Sequence, residues 1–317
     1  MKSLLQTLNV IMLVVMPLVI FWCIGAVYYT LFDSCSILPA LLCGILFFFF
    51  WFLSLFYRRA MLYLLFAVAG VIGYFVQLTP QDRFASVRWQ APWLNRPEAV
   101  RQADGRILFR NVRDFCYKSE DKYLVRYKDV IVDPAMAESI DLAISHWDDQ
   151  EAVAHTMLRF NFKNAEPLVL SMETRIPEGK TQNAVSGLFK QYEIIPVVGT
   201  PEDLFDLRTK FRGEDFYLYR TCATPEQTRQ TLWALFDRLN RPAEFYNTLT
   251  SNCTTTLAEF ADAVGIDPLE DFRVLINGYS DQLMFELGFL QHREGESFAS
   301  LKNRCYIRGK SSGIGTL

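Results

Sequence analysis

Residues that commonly bind metals are scarce in this sequence. It contains only three histidines, His146, His155 and His292, and its seven cysteines form no Cys-x-x-Cys pair. Zinc sites are usually built from closely spaced cysteines and histidines, so we expect neither a metal nor a cofactor. The net charge of −3 at pH 7 gives no reason to expect nucleic acid as a partner.

Charged residues are missing from three long stretches near the N-terminus. These stretches are residues 3–32, 34–57 and 60–81. A helix needs about 20 apolar residues to cross the hydrocarbon layer of a bilayer, and each stretch is long enough. A secretory signal peptide has an apolar core of only about 7–15 residues, which does not describe three successive stretches. We therefore predict three transmembrane helices in residues 1–81.

The few charges beside these stretches predict their orientation. Lys2 precedes the first stretch, Arg58 and Arg59 lie between the second and the third, and the first connection carries only Asp33. Because basic residues are retained on the cytoplasmic side, we expect the N-terminus and the arginine pair in the cytoplasm. The chain after about Thr79 is then outside. The expected location is a bacterial inner membrane, crossed several times, with the remaining chain in the periplasm.

The composition changes after the third stretch. Residues 82–105 are rich in Trp, Pro and Arg, which predicts a juxtamembrane connector with Trp89 and Trp93 at the level of the lipid headgroups. Residues 106–317 are predicted to form one α+β domain. Runs of Val, Ile, Phe and Tyr between polar breaks predict strands at 107–112, 123–132, 139–146, 152–162, 168–174, 191–198 and 216–220. Helical periodicity predicts helices at 225–239, 252–264 and 280–287.

The sharpest local motif is a polar loop that leads into a helix. It reads Tyr-Asn-Thr-Leu-Thr-Ser-Asn-Cys-Thr-Thr-Thr over residues 246–256 and places Cys253 in the first helical turn. The unpaired amides and the dipole of a helix N-terminus favour a thiolate, and the same amides can donate to an oxyanion. Cys253 is therefore either a nucleophile or a structural cysteine. An oxidising compartment would also permit disulfides among the cysteines of this domain, which are Cys116, Cys222, Cys253 and Cys305.

A thiolate nucleophile needs a general base, and His155 is the best candidate of the three histidines. It lies in an alternating, strand-like run, and a turn at 164–166 would pair this run with the one that contains Glu173. With Ala165 at the centre of the turn, Met157 faces Glu173, and Glu173 lies diagonal to His155. Glu173 can then orient the imidazole, as the third member of a catalytic triad does. The alternative is a structural strand histidine.

Several motifs of this domain occur in the same order in a known family. They are Arg110-Asn111-Val112-Arg113-Asp114-Phe115, Ala154-His155-Thr156, Ser171-Met172-Glu173-Thr174-Arg175, Gln191-Tyr192-Glu193, Tyr246-Asn247, Asn252-Cys253-Thr254-Thr255 and Gly278-Tyr279-Ser280-Asp281. With them, most of residues 88–290 resembles the family named for the N-terminal periplasmic domain of the bacterial lipoprotein N-acyltransferase Lnb. More distantly, a helix that opens with Asn252-Cys253 after a histidine strand resembles the permuted papain-like fold, which includes NlpC-type peptidases.

The resemblance implies a cysteine enzyme with an antiparallel sheet, helices and the nucleophile at a helix N-terminus. Cys253 would be the nucleophile and His155 its base. The third member would be Glu173, with Asn252, Asp114 and Tyr192 as alternatives. The matching motifs also imply residues that bind substrate, stabilise the oxyanion or support the triad, namely Asn252, Thr254, Tyr246, Asn247, Arg113, Asp114, Arg175 and Tyr192.

Three functions are compatible with these residues. The first is a membrane-anchored thiol acyltransferase, which takes an acyl chain from a lipid and passes it to an amine such as a lipoprotein N-terminus. Its partners would be membrane lipids and lipoproteins. The second is a periplasmic cysteine peptidase or amidase that acts on peptidoglycan or peptides. The third is an inert interaction or assembly protein that keeps the fold. The sequence does not indicate the oligomeric state.

Overall fold

The computed structural model describes residues 11–31, 37–147, 151–261, 265, 271, 273 and 277–307. The chain divides into two compact units. A helical unit comprises residues 1–87, 182–193 and 244–248. A sheet unit comprises residues 88–181, 194–243 and 249–317.

Three apolar helices form most of the helical unit. They are α1 (Met16–Ala26, with π-helical turns at Ile11–Val15 and Val27–Leu31), α2 (Leu38–Ser54) and α3 (Arg58–Gln77). Ile20, Phe47 and Leu64 pack together between them. Many of their other large apolar side chains point outwards, and Phe66 is 76% exposed. Apolar residues that are exposed all along a helix suit a lipid environment.

Among the described residues, two of the three helices are long and apolar enough to cross a membrane, whereas the sequence predicts three transmembrane helices. They cover Leu13–Thr30 and Arg59–Gln77. The helix Leu38–Ser54 has only 17 residues. At 1.5 Å per residue it is roughly 26 Å long, short of a hydrocarbon layer of about 30 Å. Its start is fixed by a proline in the first turn, and the backbone becomes extended at Tyr57.

Short elements complete the helical unit, and a lysine that follows one of them binds the end of α3. They are α4 (Pro80–Phe84), α5 (Ala184–Gly187) and the two-residue strand β11 (Glu244–Phe245). Nζ of Lys190 donates to the carbonyl oxygens of Phe75 at 2.5 Å and Leu78 at 2.8 Å. A cation at this position complements the carbonyl groups that a helix leaves unpaired at its C-terminus.

The sheet unit contains a large mixed sheet. Its strands are β1 (Glu98–Arg101), β2 (Ile107–Arg113), β5 (Tyr127–Val132), β6 (Ala137–His146), β7 (Ala154–Phe162), β8 (Leu168–Arg175), β9 (Glu193–Gly199), β10 (Asp215–Arg220) and β12 (Tyr306–Ile307). The spatial order is β1-β2-β9-β8-β7-β6-β10-β12, and β5 also pairs with β2. A separate hairpin joins β3 (Cys116–Ser119) to β4 (Lys122–Leu124). The sheet is not purely antiparallel as predicted, because β2 and β9 pair in parallel.

Helices cover both faces of this sheet. The face that carries Met157, Ala143 and Val169, here the Met157 face, packs against α6 (Pro201–Asp206), which a π-helical segment extends (Leu207–Arg212). The opposite face carries Leu142, Leu158 and Thr156 and is here the Leu158 face. The helices on the Leu158 face are α7 (Pro225–Leu239), α8 (Cys253–Ala258), α9 (Ser280–Glu286) and α10 (Phe298–Cys305).

The α+β class is confirmed, and each predicted strand overlaps an observed one, although the run 123–132 is divided between β4 and β5. The helix at Pro225–Leu239 has the predicted bounds. The helix predicted at 252–264 is observed as Cys253–Ala258, and residues 262–264 lie outside the described residues. Residues 98–101 of the predicted connector form a strand of the sheet. The permuted papain-like assignment stays a prediction.

The predicted register between β7 and β8 is wrong by two residues. Met157 faces Ser171, not Glu173, and the last ladder pair before the turn is Phe160 with Leu168. Pro167, the next residue, lacks the N–H that a further ladder bond needs, so the ladder ends there, and the observed pairs centre on Asn164 rather than on Ala165. The correction places Ser171 between His155 and Glu173.

Candidate functional site

Cys253 is the first residue of α8, and Asn252 is the N-cap of that helix. Oδ1 of Asn252 accepts hydrogen bonds from the amides of Thr254 and Thr255, both at 3.0 Å. The hydroxyl of Thr255 accepts in return from the amide of Asn252 at 2.9 Å, which completes a capping box. Two of the first-turn amides predicted to serve a thiolate or an oxyanion are therefore already occupied by the cap.

The sulfur of Cys253 has two polar neighbours in side chains. Oγ1 of Thr254 and Nδ2 of Asn277 each lie 3.8 Å from Sγ. Burial raises the pKa of the Cys253 thiol, and hydrogen bonds from Thr254 and Asn277 lower it by less. The thiol is therefore protonated at neutral pH in this arrangement.

Asn277 links the cysteine to the start of β7. Its Oδ1 accepts from the amide of Ala154 at 2.9 Å, and its Nδ2 donates to the carbonyl oxygen of the same residue. The next residue, Gly278, lies against the backbone of Glu151 and Ala152, where a Cβ atom would overlap with the carbonyl oxygen of Glu151. Cys253 is thus held beside Ala154, the neighbour of His155 in the sequence.

His155 is buried on the Met157 face and forms a chain of hydrogen bonds with β8. Its Nε2 lies 2.7 Å from Oγ of Ser171, and Ser171 donates to Oε1 of Glu173 at 2.9 Å. A carboxylate can only accept, so the single hydroxyl proton of Ser171 goes to Glu173. Ser171 must then accept from His155, which assigns the proton to Nε2 and leaves the lone pair on Nδ1. Nδ1 is the atom with which His155 could act as a base.

Glu173 is surrounded by donors and buried cations. Trp93 donates from its ring nitrogen at 2.5 Å, and the guanidinium groups of Arg113 and Arg208 each approach to 3.7 Å. Burial alone would raise the pKa of Glu173, but the charges of Arg113 and Arg208 outweigh it and lower this pKa to about 2. Burial, together with the charge of Arg208, lowers the pKa of His155 to about 3. At neutral pH the pair is a carboxylate and a neutral imidazole.

Cys253 opens a helix that packs on one face of the sheet, and the side chain of His155 lies on the other face. His155 points to the Met157 face, where it bonds to Ser171, whereas α8 packs on the Leu158 face. Within the described residues, no hydrogen bond joins Sγ of Cys253 to the imidazole. The β7–β8 ladder ends at Met157 and Ser171, so the two strands are no longer paired with each other beside His155.

The other predicted site residues have different surroundings. Arg113 is bound by Asp203 at 2.9 Å. Arg175 donates from Nε to the carbonyl oxygen of Trp93 and from Nη2 to that of Leu94, both at 2.9 Å. Trp93 therefore contacts Glu173 and Arg175 inside the sheet unit, and its place at the level of the lipid headgroups stays a prediction.

Asp114 lies among surface cations, 2.7 Å from Arg126 and 3.6 Å from Lys128. Tyr192 and Tyr246 belong to the helical unit, where the amide of Tyr246 donates to the carbonyl oxygen of Tyr192 at 2.9 Å. Asn247 belongs to the same unit.

Ser171, Asn277, Trp93 and Arg208 contact the predicted catalytic residues and were missed by the sequence analysis. Ser171 stands in a quoted motif, and the correct strand register would have found it. Asn277 lies 24 residues after Cys253 and carries no local pattern. No group of three or more His, Cys, Asp or Glu side chains in the described part of the chain could hold a metal ion.

A cavity lies beside Cys253 on the Leu158 face. Its volume is about 80 Å³. By the same measure a single water needs about 10–15 Å³, so the cavity is larger than a packing defect. Its walls are mostly apolar and come from β6, β7 and the helices α8 and α9, and Thr254 forms part of them.

Comparison with known proteins identifies the domain that carries these residues. Residues 123–278 match the family described as the Lnb N-terminal periplasmic domain. The match includes His155, Glu173 and Cys253 and runs to the Asn277–Gly278 pair. No curated protein and no solved structure matches the chain. Residues 123–278 of the chain are thus a domain of the Lnb N-terminal periplasmic domain family.

Proposed function

We propose that the protein is a membrane-anchored thiol acyltransferase of the bacterial envelope with Cys253 as its nucleophile. The observation that carries the proposal is the position of Cys253, which opens α8 beside a largely apolar cavity. Membership of the family supports it. The domain would be a permuted papain-like fold that follows N-terminal membrane helices, with the arginine pair at 58–59 in the cytoplasm and the sheet unit in the periplasm.

In the proposed reaction, Nδ1 of His155 takes the thiol proton of Cys253. The thiolate attacks the ester carbonyl of a lipid, a C–S bond forms, and the ester C–O bond breaks. The imidazolium returns its proton to the departing alkoxide. An amine, such as a lipoprotein N-terminus, then attacks the thioester, the C–S bond breaks and an amide forms. The thiolate recovers the proton that the amine loses.

Proton transfer needs Nδ1 and Sγ within about 3 Å of each other or joined by one water. In the structure no hydrogen bond joins the two side chains among the described residues, so the start of β7 must shift to bring His155, still bonded to Ser171, to the sulfur. Pairing with β8 ends at Met157 and does not oppose such a shift, whereas β6 pairs with β7 as far as Ala154 and moves with it. Glu173 is a positioning residue in this scheme.

The character of the cavity favours a lipid donor over a peptide. A peptide or peptidoglycan substrate presents amide groups that need hydrogen-bond partners along a polar groove. The walls of the cavity that Thr254 helps to line instead include Leu158, Leu257, Leu283 and Met284. A cysteine peptidase or amidase, whose first step would be the same, is therefore the less supported enzyme.

The second candidate function is an inert interaction or assembly protein. It is favoured by one observation: among the described residues, His155 is bonded to Ser171 and no hydrogen bond joins it to Cys253. In that case the polar chain from His155 to Glu173 would serve only the stability of the fold.

Intact-mass analysis of the detergent-purified protein after incubation with bacterial phospholipids tests the proposal. We expect a hydroxylamine-labile adduct of fatty-acyl mass on the parent protein and none on Cys253→Ala. His155→Gln should form the adduct at least about a hundredfold more slowly. An adduct that forms at the parent rate in His155→Gln would overturn only the role of His155 and leave that of Cys253 unchanged. Absence of any adduct, also with lipoprotein substrates, would support the inert alternative.

A further inference from the structure

The cavity on the Leu158 face adjoins the sulfur through one side chain. Thr254 follows Cys253 in α8, its Oγ1 is 3.8 Å from Sγ, and the same side chain forms part of the cavity wall. A group bonded to Sγ would therefore have the cavity next to it. The remaining walls include Leu142, Leu257 and Met284.

Most hydroxyl groups in the walls are turned away from the interior of the cavity by hydrogen bonds to the main chain. Oγ1 of Thr221 donates to the carbonyl oxygen of Ile140. In the same way, Oγ1 of Thr231 donates to the carbonyl oxygen of Gln227, and Oγ of Ser280 donates to the carbonyl oxygen of Asn277. These side chains offer mainly carbon atoms to a ligand. A carbon-lined cavity of this size gains free energy by burying apolar surface rather than by binding a polar molecule.

Within the described part of the chain, two wall hydroxyls have no such bond to the main chain, that of Thr254 beside the sulfur and that of Thr156. Oγ1 of Thr156 is buried and has no hydrogen-bond partner among the described residues. A buried hydroxyl left unpaired costs about 1–3 kcal/mol, and Thr156 belongs to the cavity wall, so a ligand atom that paired with this hydroxyl would recover that cost. Thr156 is two residues from Ala154, whose amide donates to Asn277, and the side chain of Asn277 also lies 3.8 Å from Sγ of Cys253.

We propose that this cavity binds the aliphatic part of a fatty acyl chain and limits the length of chain that Cys253 accepts. An acyl group combines a long apolar chain with one carbonyl oxygen, which matches apolar walls and a single unpaired hydroxyl. The inference rests on the proposed thiol acyl transfer for its link to Cys253, but binding itself needs only the cavity. Ala258 in α8 is the wall residue at which a larger side chain would fill the space.

The test compares Ala258→Leu with Ala299→Leu, the same substitution at an exposed position of another helix, α10. Both full-length variants are incubated with p-nitrophenyl butyrate and p-nitrophenyl palmitate, and thioester formation is followed by intact mass. We expect Ala258→Leu to slow acylation by palmitate at least about tenfold and acylation by butyrate less than about twofold. Ala299→Leu should match the parent protein with both esters.

A second measurement reports binding without chemistry, because overpacking at Ala258 could impair folding. Cys253→Ala is irradiated with a palmitate analogue that carries a photoreactive group at its chain end, and labelled peptides are mapped. We expect labels at Leu257, Ala258, Leu283 and Met284, removed by excess palmitate. Labels elsewhere, or a folded Ala258→Leu that slows both esters equally, would overturn the cavity assignment. Labels in the cavity without any thioester on the parent protein would uphold it and refute the acyl transfer.

Discussion

At the scale of single residues, the site is organised by groups that do not react. Ser171 decides which nitrogen of His155 carries the proton, because Ser171 must donate to Glu173 and can only accept from Nε2. Asn252 caps α8 and occupies the amides of Thr254 and Thr255. Of the candidates for a third catalytic residue, Asn252 is thus accounted for by the helix cap, and Glu173 is the one joined to the imidazole.

Ser171→Ala tests this assignment. The change removes the acceptor of Nε2, so the imidazole loses its fixed tautomer and orientation, and acylation of Cys253 should slow about tenfold or more. Ser145→Ala is the matched control, because Ser145 faces His155 across β6 and β7 and is also fully buried, but donates to Glu214. Equal acylation rates in the two variants would contradict a positioning role for Ser171. Rescue by Ser171→Thr would support it.

The reactivity of Cys253 should depend on pH in the way a buried thiol does. Burial raises its pKa, so the thiolate fraction at neutral pH is small and increases with pH. Alkylation by iodoacetamide should therefore continue to accelerate above about pH 8.5, the ordinary value for a cysteine. The exposed Cys116 provides an internal reference in the same peptide map. A rate that is already constant between pH 6 and pH 8 would instead indicate a thiolate paired with an imidazolium.

At the scale of secondary structure elements, one buried ion network joins three parts of the sheet unit. Glu173 on β8 lies between Arg113 on β2 and Arg208 in the π-helical segment after α6, and Asp203 of α6 binds Arg113. Each of these side chains is at least nine-tenths buried. Removing one member of such a network leaves a buried charge without its partner.

Glu173→Gln measures how much of the role of Glu173 is structural. We expect a loss of about 3 kcal/mol or more in the free energy of unfolding, because Arg208 and Arg113 keep their charges while the carboxylate is lost. Glu166→Gln, at an exposed position of the β7–β8 turn, should change it by less than about 0.5 kcal/mol. Urea unfolding in detergent gives both values. A variant that unfolds like the parent but no longer forms a thioester would place Glu173 in the chemistry instead.

The secondary structure elements also show what the sequence could and could not predict. Alternation and helical periodicity are local, and they were sufficient for the strands from 107 to 220 and for the helix at Pro225–Leu239. The register of β7 against β8 depends on the path of the turn between them, which alternation does not encode, and an error of two residues concealed Ser171. The contact of Asn277 with Cys253 depends on the tertiary path of the chain, for which the sequence carries no periodic signal.

At the scale of the whole molecule, the chain combines two candidate membrane helices with a domain of a periplasmic family. Large apolar side chains are exposed on all three N-terminal helices, including the 17-residue helix Leu38–Ser54. The sheet unit has exposed free cysteines at Cys116 and Cys222. These thiols make the orientation in the membrane measurable without altering the sheet unit.

Labelling with a membrane-impermeant maleimide tests the proposed topology. In cells with a permeabilised outer membrane, Cys116 and Cys222 should react before lysis. An added cysteine at Arg59→Cys, an exposed position at the start of α3, should react only after lysis, because the arginine pair is proposed to be cytoplasmic. Protection of Cys116 and Cys222 together with early labelling at position 59 would show the reverse orientation.

The close approach of Gly278 to Glu151 and Ala152 has a consequence for genetics. A side chain at position 278 has no room, so a substitution there must push the neighbouring Asn277 away from Ala154 and Cys253. The residue has no reactive group, touches no substrate and would be ignored by any survey of nucleophiles and bases. A random-mutagenesis screen for loss of function should nevertheless recover Gly278 as often as the cysteine itself, with protein that still reaches the membrane in normal amounts.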